Sequence, residues 1–139
     1  MRNYHSKGAS YGGRIHRKQG PFHEISSDTS NCIEVKNSEN VIIRKNYLHD
    51  CTWSENPSDD PYSSNEGFAI LVGESTNVSV VSNVLDNNKM GFAVYSSNNV
   101  NLLNNPIENT IVKSSVRFER VENSEIAHNY LSDNGIPEW

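Results

Sequence analysis

No stretch of this 139-residue chain approaches the roughly 18 consecutive apolar residues of a membrane-spanning helix. Residues 1–20 also lack the apolar centre of a signal peptide. Positive charge is scarce: 12 Lys and Arg stand against 17 Asp and Glu, for a formal charge of −5. The shortage is uneven. Residues 1–31 carry Arg2, Lys7, Arg14, Arg17 and Lys18 against Glu24 and Asp28, a net of +3, which leaves −8 over the remainder. A body this acidic argues against a nucleic-acid partner, whose phosphates require a basic face. Hydrophobic residues are only 35% of the chain, and they fall in short alternating runs of three to five residues, too short for helices and suited to half-buried strands.

What the chain does have is a nine-residue phrase, Asn-x-x-[Ile/Val/Leu]-x-x-Asn-x-[Ile/Leu]. It recurs at residues 40–48 (NVIIRKNYL), 77–85 (NVSVVSNVL), 99–107 (NVNLLNNPI) and 123–131 (NSEIAHNYL). The second Asn falls at 46, 83, 105 and 129, at intervals of 37, 22 and 24 residues. Such a period is that of a solenoid rung, with one insertion in the first interval. Each phrase follows a shorter strand pattern at fixed distance: Ile33 with Val35, Ile70 with Val72, Phe92 with Val94, Val116 with Phe118. A rung is therefore strand, turn, strand, turn, strand, loop. Its inward set is completed by Ile43, Val80, Leu102 and Ile126 on the middle strand and by Leu48, Leu85, Ile107 and Leu131 on the third. No rung buries this set alone, whereas rungs stacked about 4.8 Å apart close a continuous core.

Asn46, Asn83, Asn105 and Asn129 are expected at the corner between middle and third strands, where Asn tolerates a left-handed backbone and its amide can both donate and accept along a ladder. By the same count Ile25, eight residues before Ile33, makes residues 21–25 the tail of an earlier rung, with His23 at the ladder position. A fifth rung would open at Trp139. Neither end carries an obvious polar cap, so the expectation is a fragment of a longer solenoid or one that self-associates end to end or laterally. Cys32 and Cys51 fall at different rung positions, so a disulfide is possible but not implied, and buried thiols are the commoner outcome.

On the phrase NVIIRKNYLHD and its three copies, residues 32–135 resemble the right-handed parallel β-helix superfamily that includes pectate lyases and the carbohydrate-binding and sugar-hydrolase β-helix repeats. The resemblance implies an all-β right-handed parallel β-helix of about four full rungs plus a partial N-terminal rung. Residues 1–31 would be an arm and partial rung, and residues 32–139 the repeats. It also implies a saccharide cleft on the first-strand sheet, whose outward columns run Glu34, Leu71, Ala93, Arg117 and Lys36, Gly73, Tyr95, Glu119. Of these, Tyr95 would be a stacking platform, with Arg117 and Glu119 supplying a cation and a carboxylate.

The insertion, residues 53–66 (WSENPSDDPYSSNE), is longer than turn chemistry needs and sets Glu55, Asp59, Asp60 and Glu66 between Trp53 and Tyr62. Aromatic faces stack on sugars and carboxylates hydrogen-bond them, so Trp53, Asp59, Asp60 and Tyr62 are expected to bind substrate; Ca²⁺ is the metal such carboxylates could hold, although the spacing is not that of an EF-hand. His49, beside Asp50, is the candidate general acid or base. The sequence carries no Arg-containing lyase motif on a strand. Nor does it carry the His-Gly and Arg-x-Lys elements that accompany paired aspartates in polygalacturonase-like hydrolases.

The expected function is polysaccharide recognition within a larger carbohydrate-active or adhesive protein. As an enzyme it would be a lyase or a glycoside hydrolase, acting outside the cell or on a cell or virion surface. The alternative is a purely structural solenoid. An apolar stripe on the middle strand, Val81, Leu103 and Ala127, is the expected contact for a homo-oligomer. No stacked Thr columns occur, which disfavours ice binding.

Overall fold

The computed structural model describes residues 9–10, 14–15, 23–26, 31–51, 67–111 and 115–132, and every regular element among them is a strand. Three short strands come first: β1 (Ala9–Ser10), β2 (Arg14–Ile15) and β3 (His23–Ser26). Rung one is β4 (Ile33–Lys36), β5 (Glu39–Arg44) and β6 (Asn46–His49). Rung two is β7 (Phe68–Gly73), β8 (Thr76–Val81) and β9 (Val84–Asp86). In rung three the first two strands run together as β10 (Met90–Leu103), followed by β11 (Pro106–Glu108). Rung four is β12 (Val116–Glu122), β13 (Glu125–Ala127) and β14 (Tyr130–Ser132).

Equivalent strands of successive rungs pair in parallel, and the repeat sets their register. Ile33 lies beside Ile70, Ile70 beside Phe92 and Phe92 beside Val116. Ile43, Val80, Leu102 and Ile126 form the second inward column, and Leu48, Leu85, Ile107 and Leu131 the third. A slip of one residue would turn each column to solvent, so alternation excludes it. Through rungs one to three the columns are fully buried and form one core, each aliphatic side chain contributing roughly 1.5–3 kcal/mol on burial. The expected earlier rung is present: β3 stacks on β6 with His23 beside Asn46 and Ile25 beside Leu48.

The corners repeat as strictly as the strands. Among the described residues, fifteen non-glycine residues have positive φ, and they fall in four columns: Asn37, Glu74, Ser96, Arg120; Asn40, Asn77, Asn99, Asn123; Lys45, Ser82, Asn104, His128; and Asp50, Asn87, Asn109. Eight of the fifteen are Asn, the side chain that best tolerates this region. One expectation is corrected here. The left-handed residue at the middle-to-third corner is the one before the ladder Asn, because the chain must reverse first and only then aim the amide inward along the stack.

The ladder itself is continuous. Asn83 Oδ1 accepts from the backbone N–H of Asn46 (3.0 Å) and from its Nδ2 (2.9 Å), while Asn83 Nδ2 donates to the Ile43 carbonyl (3.0 Å) and to Asn105 Oδ1 (3.1 Å). Asn105 repeats the pattern with Val80 above and Asn129 below. Asn83 and Asn105 are fully buried, so these bonds satisfy amides that would otherwise be costly to desolvate. A second ladder of buried serines joins the first corner: the Ser38 N–H donates to Ser75 Oγ (3.2 Å) and the Ser75 N–H to Ser97 Oγ (3.0 Å).

The two ends differ. At the N-terminal end β1 pairs antiparallel with β4 and β2 with β3, so these residues of the N-terminal arm cover two strand edges, the usual answer to exposed backbone donors and acceptors. At the other end, among the described residues, β12, β13 and β14 are paired on one side only. There the inward positions Ile126 (51% exposed) and Leu131 (53%) face solvent.

Cys32 and Cys51 form a disulfide, with Cα atoms 5.8 Å apart, in place of the expected free thiols. The reason is topological. Cys32 precedes the first strand of rung one and Cys51 follows its third, and a solenoid turn brings those two points together.

Two measurements check this account. Asn83→Ala removes both faces of a buried amide and should cost about 1–3 kcal/mol in urea unfolding, whereas Asn77→Gly, at an exposed left-handed corner, should be near neutral. Replacing both cysteines by Ser, whose separation is 19 residues, should cost about 3 kcal/mol and lower Tm by roughly 10 °C for a chain of this size.

Candidate functional site: a groove on the first-strand sheet

The outward faces of β4, β7, β10 and β12 alternate with the buried columns, and the register places Glu34, Leu71, Ala93 and Arg117 in one row and Lys36, Gly73, Tyr95 and Glu119 in the next. These rows floor a groove of about 600 Å³, with Asn31 and Phe68 at one side and Arg120 at the other. The structure thus brings together three of the residues singled out from sequence: Tyr95, Arg117 and Glu119.

Tyr95 owes its position to Gly73. A Cβ built on Gly73 would lie 2.2 Å from Tyr95 Cζ and 2.4 Å from its hydroxyl. The ring therefore lies across the neighbouring rung, a position open only where the residue beneath has no side chain. Half-buried in this way, the ring offers one flat face to the groove. Beside it Phe68, Met90 and Ala93 are buried and pack with Leu71 into a small apolar cluster separate from the core, which extends the apolar part of the floor.

Charged groups line the far end. Arg117 Nη2 donates to Glu119 Oε2 at 2.9 Å, and Arg120 Nη1 lies 3.6 Å from Glu119 Oε1. Arg120 is anchored a second time, its Nε donating to Ser96 Oγ at 3.1 Å. These pairs are solvent-exposed, so they orient the side chains more than they stabilise the fold. Among the described residues lining the groove, Lys36, Arg117 and Arg120 outnumber Glu34 and Glu119, a positive balance on a chain whose net charge is −5. Sequence reading missed Arg120. It occupies a corner, and the alternation that reports strand faces says nothing about a side chain whose backbone has turned left-handed (φ 52°).

His49 does not line this groove. It lies on the third-strand sheet, stacked on Tyr47 with ring centroids 4.6 Å apart, and its Nδ1 is 2.6 Å from Asp50 Oδ2. Tyr47 in turn donates to Asp86 Oδ2 at 3.2 Å. Trp53, Asp59, Asp60 and Tyr62 lie outside the described residues. Among those described, no group of three or more His, Cys, Asp or Glu is arranged to hold a metal ion.

The feet of the insertion are described, and both are held by the turn of the next rung. The Lys89 N–H donates to the Cys51 carbonyl (2.8 Å) and the Met90 N–H to the Gly67 carbonyl (3.0 Å), while Asn88 Oδ1 accepts from the Cys51 N–H (2.9 Å). With Cys51 also in the disulfide, the insertion leaves and rejoins a rigid base next to Asn31 and Phe68, the latter's N–H bonded to Asn31 Oδ1 (2.9 Å). Lys89, fully buried at this base, was not evident from sequence, where it reads as an ordinary turn residue between Asn88 and Met90.

A family model described as "Right handed beta helix region" matches residues 9–137. No curated protein and no solved structure matches the chain.

The fit of Tyr95 over Gly73 can be tested directly. Gly73→Ala should move the ring away from the groove floor, seen as a change in the Tyr95 ring proton shifts, at a stability cost of about 1–3 kcal/mol for the added bulk. Tyr95→Phe should leave the ring in place.

Proposed function

Because this chain belongs to the right-handed β-helix family, we propose that its first-strand groove recognises a polysaccharide, as part of a carbohydrate-active or adhesive protein. The observation that carries this reading is the composition of one groove: an aromatic face at Tyr95, an apolar strip at Leu71 and Ala93, and hydrogen-bonding charges at Arg117, Glu119 and Arg120. Sugars present alternating apolar faces and hydroxyl edges, which such a floor matches. The cationic balance favours saccharides bearing carboxylate or sulfate groups, which Arg can engage through two N–H groups at once. Trp53, Asp59, Asp60 and Tyr62 would add contacts from the insertion, whose base stands beside the groove. The carboxylates there are the candidate Ca²⁺ ligands. The Cys32–Cys51 disulfide supports an oxidising location, outside the cell or on a surface.

A structural solenoid without ligand is the second reading, favoured by Val81, Leu103 and Ala127. These three stand in register and half-buried on the middle-strand face.

A glycan array followed by calorimetry on the best ligand separates the two. Tyr95→Ala should weaken binding by about 1 kcal/mol or more, roughly fivefold, if the ring is a platform. Trp53→Ala should act in the same direction. Lyase and hydrolase assays on the same ligand test catalysis, with His49→Ala expected to be silent in the groove's binding. No binding on the array would leave the structural solenoid standing.

A further inference from the structure

A saccharide in the groove meets three cations, and they are not equivalent. Resting on the saccharide reading, we infer that Lys36, together with the Tyr95 hydroxyl, reads an acidic substituent on the bound sugar, and that Arg117 and Arg120 do not set that preference.

The cations differ in what they already hold. Arg117 Nη2 donates to Glu119 Oε2 at 2.9 Å, while Arg120 donates through Nε to Ser96 Oγ at 3.1 Å and lies 3.6 Å from Glu119 Oε1. An anion brought to either guanidinium must displace the Glu119 carboxylate or sit against it, and like charges that close repel. Lys36 is exposed on rung one, and among the described residues its ammonium makes no hydrogen bond and no ion pair. The carboxylate that shares its strand, Glu34, accepts from Asn31 Nδ2 (3.5 Å) instead.

The next rung brings a second donor to the same place. The register sets Lys36 beside Gly73 and Gly73 beside Tyr95. A Cβ on Gly73 would lie 2.4 Å from the Tyr95 hydroxyl oxygen, so the phenol end of that side chain sits over rung two. That is one strand spacing, about 4.8 Å, from the Lys36 position. The hydroxyl also makes no hydrogen bond among the described residues. An uncommitted O–H and an uncommitted ammonium therefore flank the bare position at Gly73. A sugar stacked on the Tyr95 face carries its acidic group at the ring edge, where the hydroxyl can donate one hydrogen bond and the ammonium supplies the charge. Lysine suits this place, since a compact charge with rotatable donors takes a carboxylate or a sulfate without requiring a bidentate fit.

Calorimetry on the intact chain tests this with an oligouronate and with the same oligosaccharide after its carboxyl groups are reduced to alcohols. The oligouronate should bind roughly tenfold more tightly than the reduced form, by a margin that shrinks as salt is added. Lys36→Met should bring the ratio of the two affinities close to one, Lys36→Arg should keep most of it, and Tyr95→Phe should lower it while the ring stays in place. Arg120→Gln should weaken both probes and leave the ratio as it was. A sulfated neutral glucan that shares the Lys36 dependence assigns the position to anions in general; one that binds without it confines the assignment to carboxylates. A preference that survives in Lys36→Met, a preference that collapses in Arg120→Gln, or equal binding of the two probes by the wild type overturns the inference and leaves the saccharide reading intact. Binding of neither probe overturns both.

Discussion

Everything in this molecule hangs on the satisfaction of buried polar groups at the corners of the stack. A parallel solenoid must turn its backbone three times per rung with no helix to absorb the donors and acceptors, and water does not reach the inner corners. The asparagines at 83 and 105 solve this by bonding along the axis: each amide accepts two hydrogen bonds from one rung and donates to a carbonyl and to the next amide. Asn83 and Asn105 can therefore be fully buried without an unmet group. The same ladder couples rungs to one another, so register is enforced at the corner by hydrogen bonds and at the strands by alternation.

That rigidity is what allows a flat face to become a site. The outward columns on the first-strand sheet are fixed to the strand spacing, and a ring such as Tyr95 can lie down only where the rung beside it is bare at Gly73. The groove follows from one missing side chain as much as from the side chains present. Its charged end is set differently: Arg120 comes from a left-handed corner and reaches Glu119 from the side, so strand and turn supply the two partners. The disulfide and the turn at residues 88–90 hold the base of the insertion against this same groove, which ties the covalent cross-link to the groove face rather than to the core alone.

Much of this was legible in the primary structure, for a physical reason. Stacked rungs make contacts between residues at equal repeat positions, so a periodic sequence states its own long-range contacts. The inward columns, the strand order, the stacking of Ile25 on Leu48 and the shared face of Tyr95, Arg117 and Glu119 all follow from position within the period. The left-handed corner was placed one residue late, because an Asn can serve either as the turn residue or as the amide that follows it, and composition does not distinguish the two.

What the sequence by itself determined is therefore the repeat and everything that scales with it: an all-β parallel stack, its register and its two faces. What only the tertiary structure decided are the features that break the repeat. These include the pairing of Cys32 with Cys51, which depends on how a rung closes in space, and the N-terminal residues folding back as antiparallel edge strands. They also include the removal of His49 to a different sheet from the groove, and the entry of Arg120 into it. Each depends on how a rung closes in space, where a corner side chain points or how a chain end folds, and the alternation of inward and outward residues reports none of these.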